Sequence, residues 1–276
     1  MLTTIALALL AGTPAQPGDL KLSNVRMTVG ELGPPREGTK LLPGDVLFIA
    51  YDIDGITIDG EGIAKYTMAM EVADGAGKLI FKQDPRDLSD FVPLRGNKMP
   101  ARAYITVGLD QPPGTYTCKI VVTDPKTKAT GNLNVKFEVA KKDFGVVAVY
   151  TSHDPKGEIS APTAGQVGQT LYIQFSIASF ERDAKLKQPD VEIEFQVYDD
   201  KGTPLLVDAA NKPAPRKHIQ DAKSANVVKE TDGAFALQFP LFMSRPGKFS
   251  VEIKATDRVS KKTSTYKLPV TISAAN

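Results

Sequence analysis

The sequence predicts an all-β protein built of two tandem antiparallel β-sandwiches, and three observations support this fold class. Residues 44–139 and 168–272 repeat one pattern of apolar positions and turns. Within each copy, apolar and polar residues alternate with a period of two, which is typical of strands with one buried face. The chain also carries 22 glycines and 20 prolines between short β-rich runs, as expected of frequent turns.

The alternation assigns an inward face to each strand in order. Opening strands over Leu20–Val29 and Phe144–Tyr150 are followed by three strands whose inward residues match between the copies. The matched sets are Leu47, Ile49, Tyr51 and Ile53 with Leu171, Ile173, Phe175 and Ile177; Tyr66, Met68, Met70 and Val72 with Val191, Ile193, Phe195 and Val197; and Ala103, Ile105, Val107 and Leu109 with Phe235, Leu237, Phe239 and Leu241.

The last two strands of each copy match most closely. The segment PGTYTCKIVVTD, from Pro113 to Asp124, aligns without gaps with PGKFSVEIKATD, from Pro246 to Asp257. The ungapped match continues to Val139 and Ile272. With the opening strands included, the repeat predicts about seven strands in each copy, a number typical of antiparallel sandwiches.

The repeat also predicts how the chain is divided into domains. One copy predicts a domain over residues 16–140, and the other predicts a domain over residues 144–276. Only Lys141, Lys142 and Asp143 separate them. At 276 residues the chain has room for two domains of about 100–150 residues each.

Two groups of residues resemble those of known sandwich families. Tyr116-Thr117-Cys118 resembles the Tyr-x-Cys of an immunoglobulin strand, but Ile49 holds the position of the partner cysteine, so we expect neither the disulfide nor the tyrosine-corner hydrogen bond. The turns resemble those of macroglobulin-type and fibronectin-III-like domains, which implies tandem immunoglobulin-like domains of a secreted bacterial protein. These turns are Pro43-Gly44-Asp45, Gly168-Gln169, Asp74 to Gly77, Asp199 to Gly202, Pro113-Gly114 and Pro246-Gly247.

The first fifteen residues have the pattern of a secretory signal peptide. The apolar run Leu2 to Ala11 is followed by Thr13-Pro14-Ala15, a small-residue cleavage pattern. The run is too short for a permanent transmembrane helix, and Thr13 stands where a lipidated cysteine would be. We therefore predict a cleaved signal peptide over residues 1–15, no transmembrane segment, no lipid anchor, and a secreted, periplasmic or cell-surface location.

Charge and aromatic content argue against some partners. The chain has 34 Lys and Arg against 32 Asp and Glu, a net charge of +2, so no strongly basic face is expected. Nucleic acid, which demands such a face, is not an expected partner. Tryptophan is absent, and most aromatic residues fall at inward positions, which leaves few rings to stack on sugars.

One acidic segment, DIDGITIDGEG, is a candidate calcium site. Calcium prefers several oxygen ligands on a loop that curls around it, and alternating carboxylates and glycines supply both. The candidate ligands are Asp52, Asp54, Asp59 and Glu61. The glycine spacing differs from that of an EF-hand, and a solvated turn is the alternative interpretation. No other cofactor is expected.

The residues that most often perform catalysis are not arranged for it in the sequence. Ser152-His153-Asp154 are adjacent, but a catalytic triad needs convergence in space, which alternating strand side chains do not provide. His218 stands alone, and Cys118 falls at an inward position where a thiol is inert. We therefore expect no catalytic residues and no enzymatic activity.

The two copies differ most over Asp84–Pro100 and Val207–Asn226, which are predicted to be long loops. Loops on a rigid scaffold commonly carry binding residues. We predict a non-enzymatic binding or structural module, either a spacer or a binder of an unidentified protein or polysaccharide of the cell envelope. The alternative is an enzyme inhibitor, or an accessory domain of an enzyme, that acts through these loops.

Overall fold

The structure, a computed structural model, describes residues 19–96 and 98–274. Every regular element in these two ranges is a β-strand, which confirms the predicted all-β class. In the same ranges, no helix has the length and apolar character needed to span a bilayer. The signal peptide predicted over residues 1–15 lies outside the described residues.

The first half contains β1 (Lys21–Thr28), β2 (Lys40–Leu41), β3 (Val46–Asp54), β4 (Ile63–Asp74), β5 (Leu79–Phe91), β6 (Lys98–Thr106), β7 (Gly114–Thr123) and β8 (Thr130–Val139). A three-stranded sheet has the order β1-β3-β6, and a five-stranded sheet has the order β2-β8-β7-β4-β5. One hydrophobic core contains residues of both sheets. The first half is therefore a β-sandwich.

The second half contains β9 (Gly145–Ser152), β10 (Ala164–Gln166), β11 (Thr170–Ala178), β12 (Val191–Tyr198), β13 (Arg216–Gln220), β14 (Ala234–Phe242), β15 (Gly247–Asp257) and β16 (Thr263–Ser273). Its sheets have the orders β14-β11-β9 and β10-β16-β15-β12-β13. The topology of the first half is repeated strand for strand, so the fold consists of tandem β-sandwiches.

In the described residues each half has eight strands, where the sequence predicted about seven. β5 and β13 lie largely in segments predicted as loops. Two further strands are very short: β2, of two residues, and β10, of three residues. Both short strands lie at a sheet edge and pair in parallel with the last strand of their half. A strand this short shows no alternation that a sequence pattern could reveal.

The predicted inward residues form the two cores. In β3 and β11, the predicted inward side chains are at most 2% exposed, and most residues assigned to the inner faces of β7, β8, β15 and β16 are buried. Burial of alternate apolar side chains is the main favourable contribution to such a sandwich, at roughly 25 cal/mol per Å² of apolar surface. The period-two pattern therefore identified the buried faces correctly.

The two halves make contact at Asp45, just before β3. Its carboxylate forms an ion pair with Arg36, and its Oδ1 accepts the backbone N–H of Ala148 in β9 at 2.9 Å. Ala148 has a φ of 51°, and the register of β9 with β11 shifts beside it. The domain boundaries, residues 16–140 and 144–276, stay a prediction.

Candidate functional site

The two halves differ most in how their cores are filled beside β6 and β14. Ala103 pairs with Ile49 in the first half, and Phe239 pairs with Ile173 at the same place in the second. By the same register, Ala101 corresponds to Leu237. Two alanines thus replace a leucine and a phenylalanine on the inner face of the three-stranded sheet.

This correspondence corrects the sequence alignment, which paired Ala103 with Phe235. The true counterpart lies four residues later, because the link between the strand and the Pro-Gly turn is longer in the first half. A shift of four residues keeps every side chain on its predicted face. The alignment therefore predicted the inward faces of β6 and β14 correctly, but it did not reveal the contrast in side-chain size at Ala103. Aligning the two halves with a gap before Pro246, where the second half is shorter, would have shown it.

An apolar cleft of about 620 Å³ lies in the first half where Ala103 faces the core. It runs between β5 and β6, the edge strands of the two sheets on the same side of the sandwich. Its volume falls within the range of about 300–1,000 Å³ that is usual for small-molecule sites. The apolar lining includes Met68, Met70, Val72, Phe81, Leu88, Ile105 and Phe137.

The corresponding space in the second half is nearly filled. The cavity there measures about 160 Å³ and is lined by Phe195 on β12, Phe239 on β14 and residues of β13. These two rings stack with centroids 4.4 Å apart and planes inclined by 11°. Met70 and Ala103 hold the equivalent positions in the first half, so the larger cleft follows from smaller or more flexible side chains.

β5 forms a wall of the cleft that is only partly covered. Since three strands face five, the edge of the larger sheet extends beyond the smaller one. Ile80 and Phe81, neighbours on β5 that both line the cleft, remain 43% and 46% exposed. Grouped apolar exposure of this kind is characteristic of binding surfaces.

The charged groups at the cleft are all positive. Arg86 lies on the inward side of β5, directly opposite Met68, and Arg102 lies on β6. Among the described residues that line the cleft, none is an aspartate or a glutamate. The cleft therefore combines an apolar interior with two guanidinium groups.

Tyr116, at the end of the cleft, corrects a second expectation. Its hydroxyl donates to the carbonyl oxygen of Pro112 at 2.6 Å and accepts from Nε2 of Gln111 at 2.9 Å. This is the tyrosine-corner bond, a return from the start of the strand to the backbone a few residues upstream. The prediction that it would be missing was wrong, because the bond requires the tyrosine and the turn but not the disulfide.

Cys118 lies where the sequence predicted, fully buried on the inner face of β7. Burial raises the pKa of its thiol to about 12. The thiol is therefore protonated at neutral pH and serves as a small apolar side chain.

The structure does not bring the four candidate calcium ligands together. Asp52 accepts from Nδ2 of Asn24 at 3.0 Å, and Asp54 accepts from the hydroxyl of Ser23 at 2.5 Å. The Ser23 hydrogen bond is the main reason that the pKa of Asp54 lies below its usual value, and Lys98 lowers it further. Asp52 thus links β3 to β1, and Asp54 links β3 to both β1 and β6.

The other two candidate ligands lie in the turn that follows β3. Oδ1 of Asp59 accepts the backbone N–H groups of Glu61 and Ile63, at 3.0 and 2.9 Å. Across residues 19–96 and 98–274, no group of three or more His, Cys, Asp or Glu side chains is placed to hold a metal ion. Calcium binding at this segment stays a prediction.

The Ser152-His153-Asp154 segment ends β9 and makes structural hydrogen bonds. The buried Ser152 hydroxyl donates to the backbone carbonyl of Asp154 at 2.8 Å and accepts from Nε2 of Gln174 at 3.1 Å. His153 is exposed. His218 is also exposed, on the edge strand β13, where it lines the smaller cavity. These residues do not converge on one another.

The segments predicted as long loops contain strands. Residues 84–91 belong to β5 and residues 98–100 to β6, so the loop predicted over 84–100 is wrong for most of its length. Within 207–226, residues 216–220 form β13. The mixed-charge sequence of β5 lacks the apolar alternation that predicts a strand, because an edge strand with both faces partly exposed needs few apolar residues.

No protein-family model matches the sequence, and no curated protein matches it. Among solved structures, the chain is similar to the C-terminal domain of the Streptococcus pyogenes antigen I/II-family protein AspA, with 12% identity, a TM-score of 0.31, and coverage of 91% of this chain and 99% of that one. Escherichia coli alpha-2-macroglobulin activated by porcine elastase gives 10% identity and a TM-score of 0.31 over 95% of this chain and 23% of that one.

Red sea bream transglutaminase gives 10% identity and a TM-score of 0.28 over 92% of this chain and 31% of that one. This chain therefore spans less than a third of the transglutaminase and of the macroglobulin. At these TM-scores the likenesses say nothing of function, and the fold class rests on the sheets themselves.

Proposed function

We propose that this protein is a non-enzymatic binding module of a secreted or cell-envelope protein, and that its binding site is the cleft between β5 and β6. The observation that carries the proposal is the unequal filling of two equivalent sandwiches, with about 620 Å³ open in one and about 160 Å³ in the other. A scaffold needs no such opening, because leaving it unfilled forfeits packing energy.

The chemistry of the cleft supports binding rather than catalysis. Its lining contains aliphatic, methionine and aromatic side chains, with arginine and glutamine as the main polar groups. In the described part of the chain, the lining has no carboxylate, imidazole or thiol to act as a general base or nucleophile. The hydroxyl of Tyr116 is already bonded to Pro112 and Gln111.

The lining also favours an apolar ligand over a polysaccharide. A sugar-binding surface needs many hydrogen-bonding groups, whereas most of the residues around this cleft are apolar. The partner is therefore an apolar small molecule or an apolar group of another envelope component. Action as an inhibitor or accessory domain through long loops at residues 84–100 and 207–226 has less support, because strands occupy much of both segments. We retain residues 16–140 and 144–276 as the two proposed domains.

Titration with the neutral probe N-phenyl-1-naphthylamine tests this proposal. Its fluorescence increases in apolar surroundings, so we expect saturable binding to the wild-type chain. Ala103→Phe places in the cleft the ring that the second half carries at Phe239, and we expect it to weaken probe binding at least tenfold. Ala103→Leu, a smaller change, is the second variant if the phenylalanine prevents folding.

A matched control places the same ring outside the cleft. Thr265, exposed on β16 of the second half, is changed to phenylalanine, and probe binding should stay at the wild-type level. Thermal unfolding of each variant establishes that it is folded. Absence of saturable binding to the wild type, or equal binding by Ala103→Phe and the wild type, would refute the cleft as the binding site.

A further inference from the structure

We propose that the cleft between β5 and β6 binds a single-chain amphiphile, with the hydrocarbon chain in the apolar interior and an anionic headgroup at Arg86 and Arg102. This inference rests on the proposed function and adds the chemical class of the ligand. Three features of the first half support it: the charge at the cleft, the character of its lining, and the edges of its two walls.

The charge at the cleft, the first of these features, comes mainly from Arg86. Arg86 occupies an inward-facing position of β5, opposite Met68, where a sandwich ordinarily carries an apolar side chain. Its aliphatic stem can lie along the apolar wall while the guanidinium remains in water at the cleft mouth. Arg86 is exposed, so its planar set of donors is available to an oxyanion.

Arg102 adds positive charge at the rim of the opposite wall. It lies opposite Ala50, on the outward side of β6, and its Nε forms an ion pair with Oε2 of Glu31 at 3.6 Å. With no acidic side chain in the described lining, Arg86, supported by Arg102 at the rim, makes the cleft selective for negative charge. A neutral apolar ligand would gain no binding free energy from these arginines.

The lining fits a flexible hydrocarbon chain. Met68 and Met70 form part of the floor, and methionine is unbranched and polarizable, so it adapts to ligands of irregular shape. The opposite side is formed by Ala103, whose small side chain leaves the space that Phe239 fills in the second half. Chain length should therefore set affinity until the cleft is full, with about tenfold tighter binding for each two added methylenes.

The edges of β5 and β6 do not favour an added peptide strand as the occupant. Asp84 and Pro85 interrupt the ladder between β5 and β4 at a register shift, and a proline has no N–H to donate to a partner strand. On β6, Pro100 likewise lacks that donor. Prolines, bulges and charged residues are the usual means by which proteins prevent pairing at sheet edges.

Isothermal titration of the full chain with dodecanoate and dodecanol, both below the concentration at which they aggregate, tests the inference. We expect dodecanoate to bind at one site per chain and at least fivefold more tightly than dodecanol. Arg86→Gln should weaken dodecanoate about tenfold, the loss typical of a charge-assisted hydrogen bond, and leave dodecanol unchanged. Arg102→Gln should act in the same direction.

Lys82→Gln is the matched control. Lys82 is also a cation on β5, but it pairs opposite Glu71 on the outer face and does not line the cleft, so dodecanoate binding should not change. Because all three substitutions are at exposed positions, the variants should fold, and thermal unfolding verifies that they do.

The outcomes separate this inference from the function on which it rests. If dodecanol binds as tightly as dodecanoate and Arg86→Gln changes neither, the anionic headgroup is wrong while the apolar binding site stands. If dodecanoate, dodecanol and the neutral naphthylamine probe all fail to bind, both proposals fail. If only a synthetic peptide of alternating apolar residues binds, strand addition is the correct mode and the amphiphile is excluded.

Discussion

Two buried aspartates make equivalent hydrogen bonds to distant loops in the two halves. Asp124, at the end of β7, accepts the backbone N–H of Lys126 in its own turn at 2.8 Å and that of Thr57 in a distant loop at 3.0 Å. Asp257, at the end of β15, makes the equivalent long-range bond to the N–H of Glu181 at 2.8 Å. The aspartate that closes both matched sequence segments therefore anchors the loop that follows β3 or β11.

Replacing Asp124 should make the protein less stable at neutral pH. Burial alone would raise the pKa of this carboxyl, but hydrogen bonds from Thr57, Lys126 and Thr127 outweigh burial and hold the pKa below its usual value. Its stabilising effect is thus fully present above the unfolded-state pKa of about 3.9 and is lost as the pH falls through the lower folded-state pKa. Asp124→Asn should lower the free energy of unfolding at pH 7 by about 2 kcal/mol.

Urea unfolding of wild type and Asp124→Asn over a series of pH values checks this expectation. The difference between the two proteins should be largest near neutral pH. It should begin to shrink below about pH 4, where the carboxyl of the unfolded chain takes up protons, and should be lost once the pH falls through the lower folded-state pKa. Asp87→Asn, an exposed change on β5, should have no such effect. A difference that is independent of pH would contradict the role given to the charged form of Asp124.

The hydroxyl of Tyr116 should contribute measurably to stability. Tyr116→Phe removes its hydrogen bonds with Pro112 and Gln111, and we expect the free energy of unfolding to fall by about 1 kcal/mol. The fold should persist, because Phe249 stands at this position in the second half. In the control Tyr172→Phe, the hydroxyl lost has no hydrogen-bond partner among the described residues. Equal effects in thermal unfolding would show that the corner bond adds nothing.

At the scale of elements, the side chains of β6 and of its counterpart β14 determine whether each sandwich has an open cleft. The cleft lies beside β5 in the first half, and the equivalent place in the second half is beside β13. Phe239 on β14 stacks on Phe195 and closes the second half, while Ala103 on β6 leaves the first half open. Phe239→Ala should therefore enlarge the cavity of the second half and lower the free energy of unfolding by about 3–5 kcal/mol. It should also create a second binding site for the neutral naphthylamine probe.

Phe242→Ala is the control for that experiment. Phe242 lies on the same strand, but its side chain is 62% exposed, so its loss should change stability by no more than about 0.5 kcal/mol. Probe stoichiometry and urea unfolding are measured on both variants. The result that would contradict this account is a Phe239→Ala protein as stable as the control and with no additional probe site.

The sequence was sufficient for the faces of the strands but not for the site. Leu47, Ile49 and their counterparts alternate strictly, and alternation determines which side of a strand is buried. The cleft depends instead on which residue of β6 lies opposite Ile49. The loop before the Pro-Gly turn differs in length between the halves, so an alignment without a gap there pairs the wrong residues of β6 and β14. β5 was missed because its exposed, charged sequence resembles a loop.

At the scale of the molecule, the halves are held together by more than the three-residue linker. Val29, just after β1, belongs to the hydrophobic core of the second half. Asp45 adds the polar contact between the halves, because its Oδ1 accepts the N–H of Ala148. Asp45 is 4% exposed, and within its own half its charge is also stabilised by the Arg36 ion pair and by the backbone N–H of Val46.

Asp45→Ala should uncouple the two halves. The substitution leaves the Arg36 guanidinium without its carboxylate partner and the N–H of Ala148 without an acceptor, and breaking a buried pair from one side costs about 3 kcal/mol. Because the hydrogen bond to Ala148 connects the halves, we expect calorimetry to show one unfolding transition in the wild type and two in the variant. Asp110→Ala, which removes the exposed ion pair with Lys142 beside the linker, should keep the single transition, since surface pairs contribute less than about 1 kcal/mol. If Asp45→Ala lowers the stability of both halves equally and a single transition remains, Asp45 stabilises only its own sandwich. The halves are then coupled through the apolar contact of Val29.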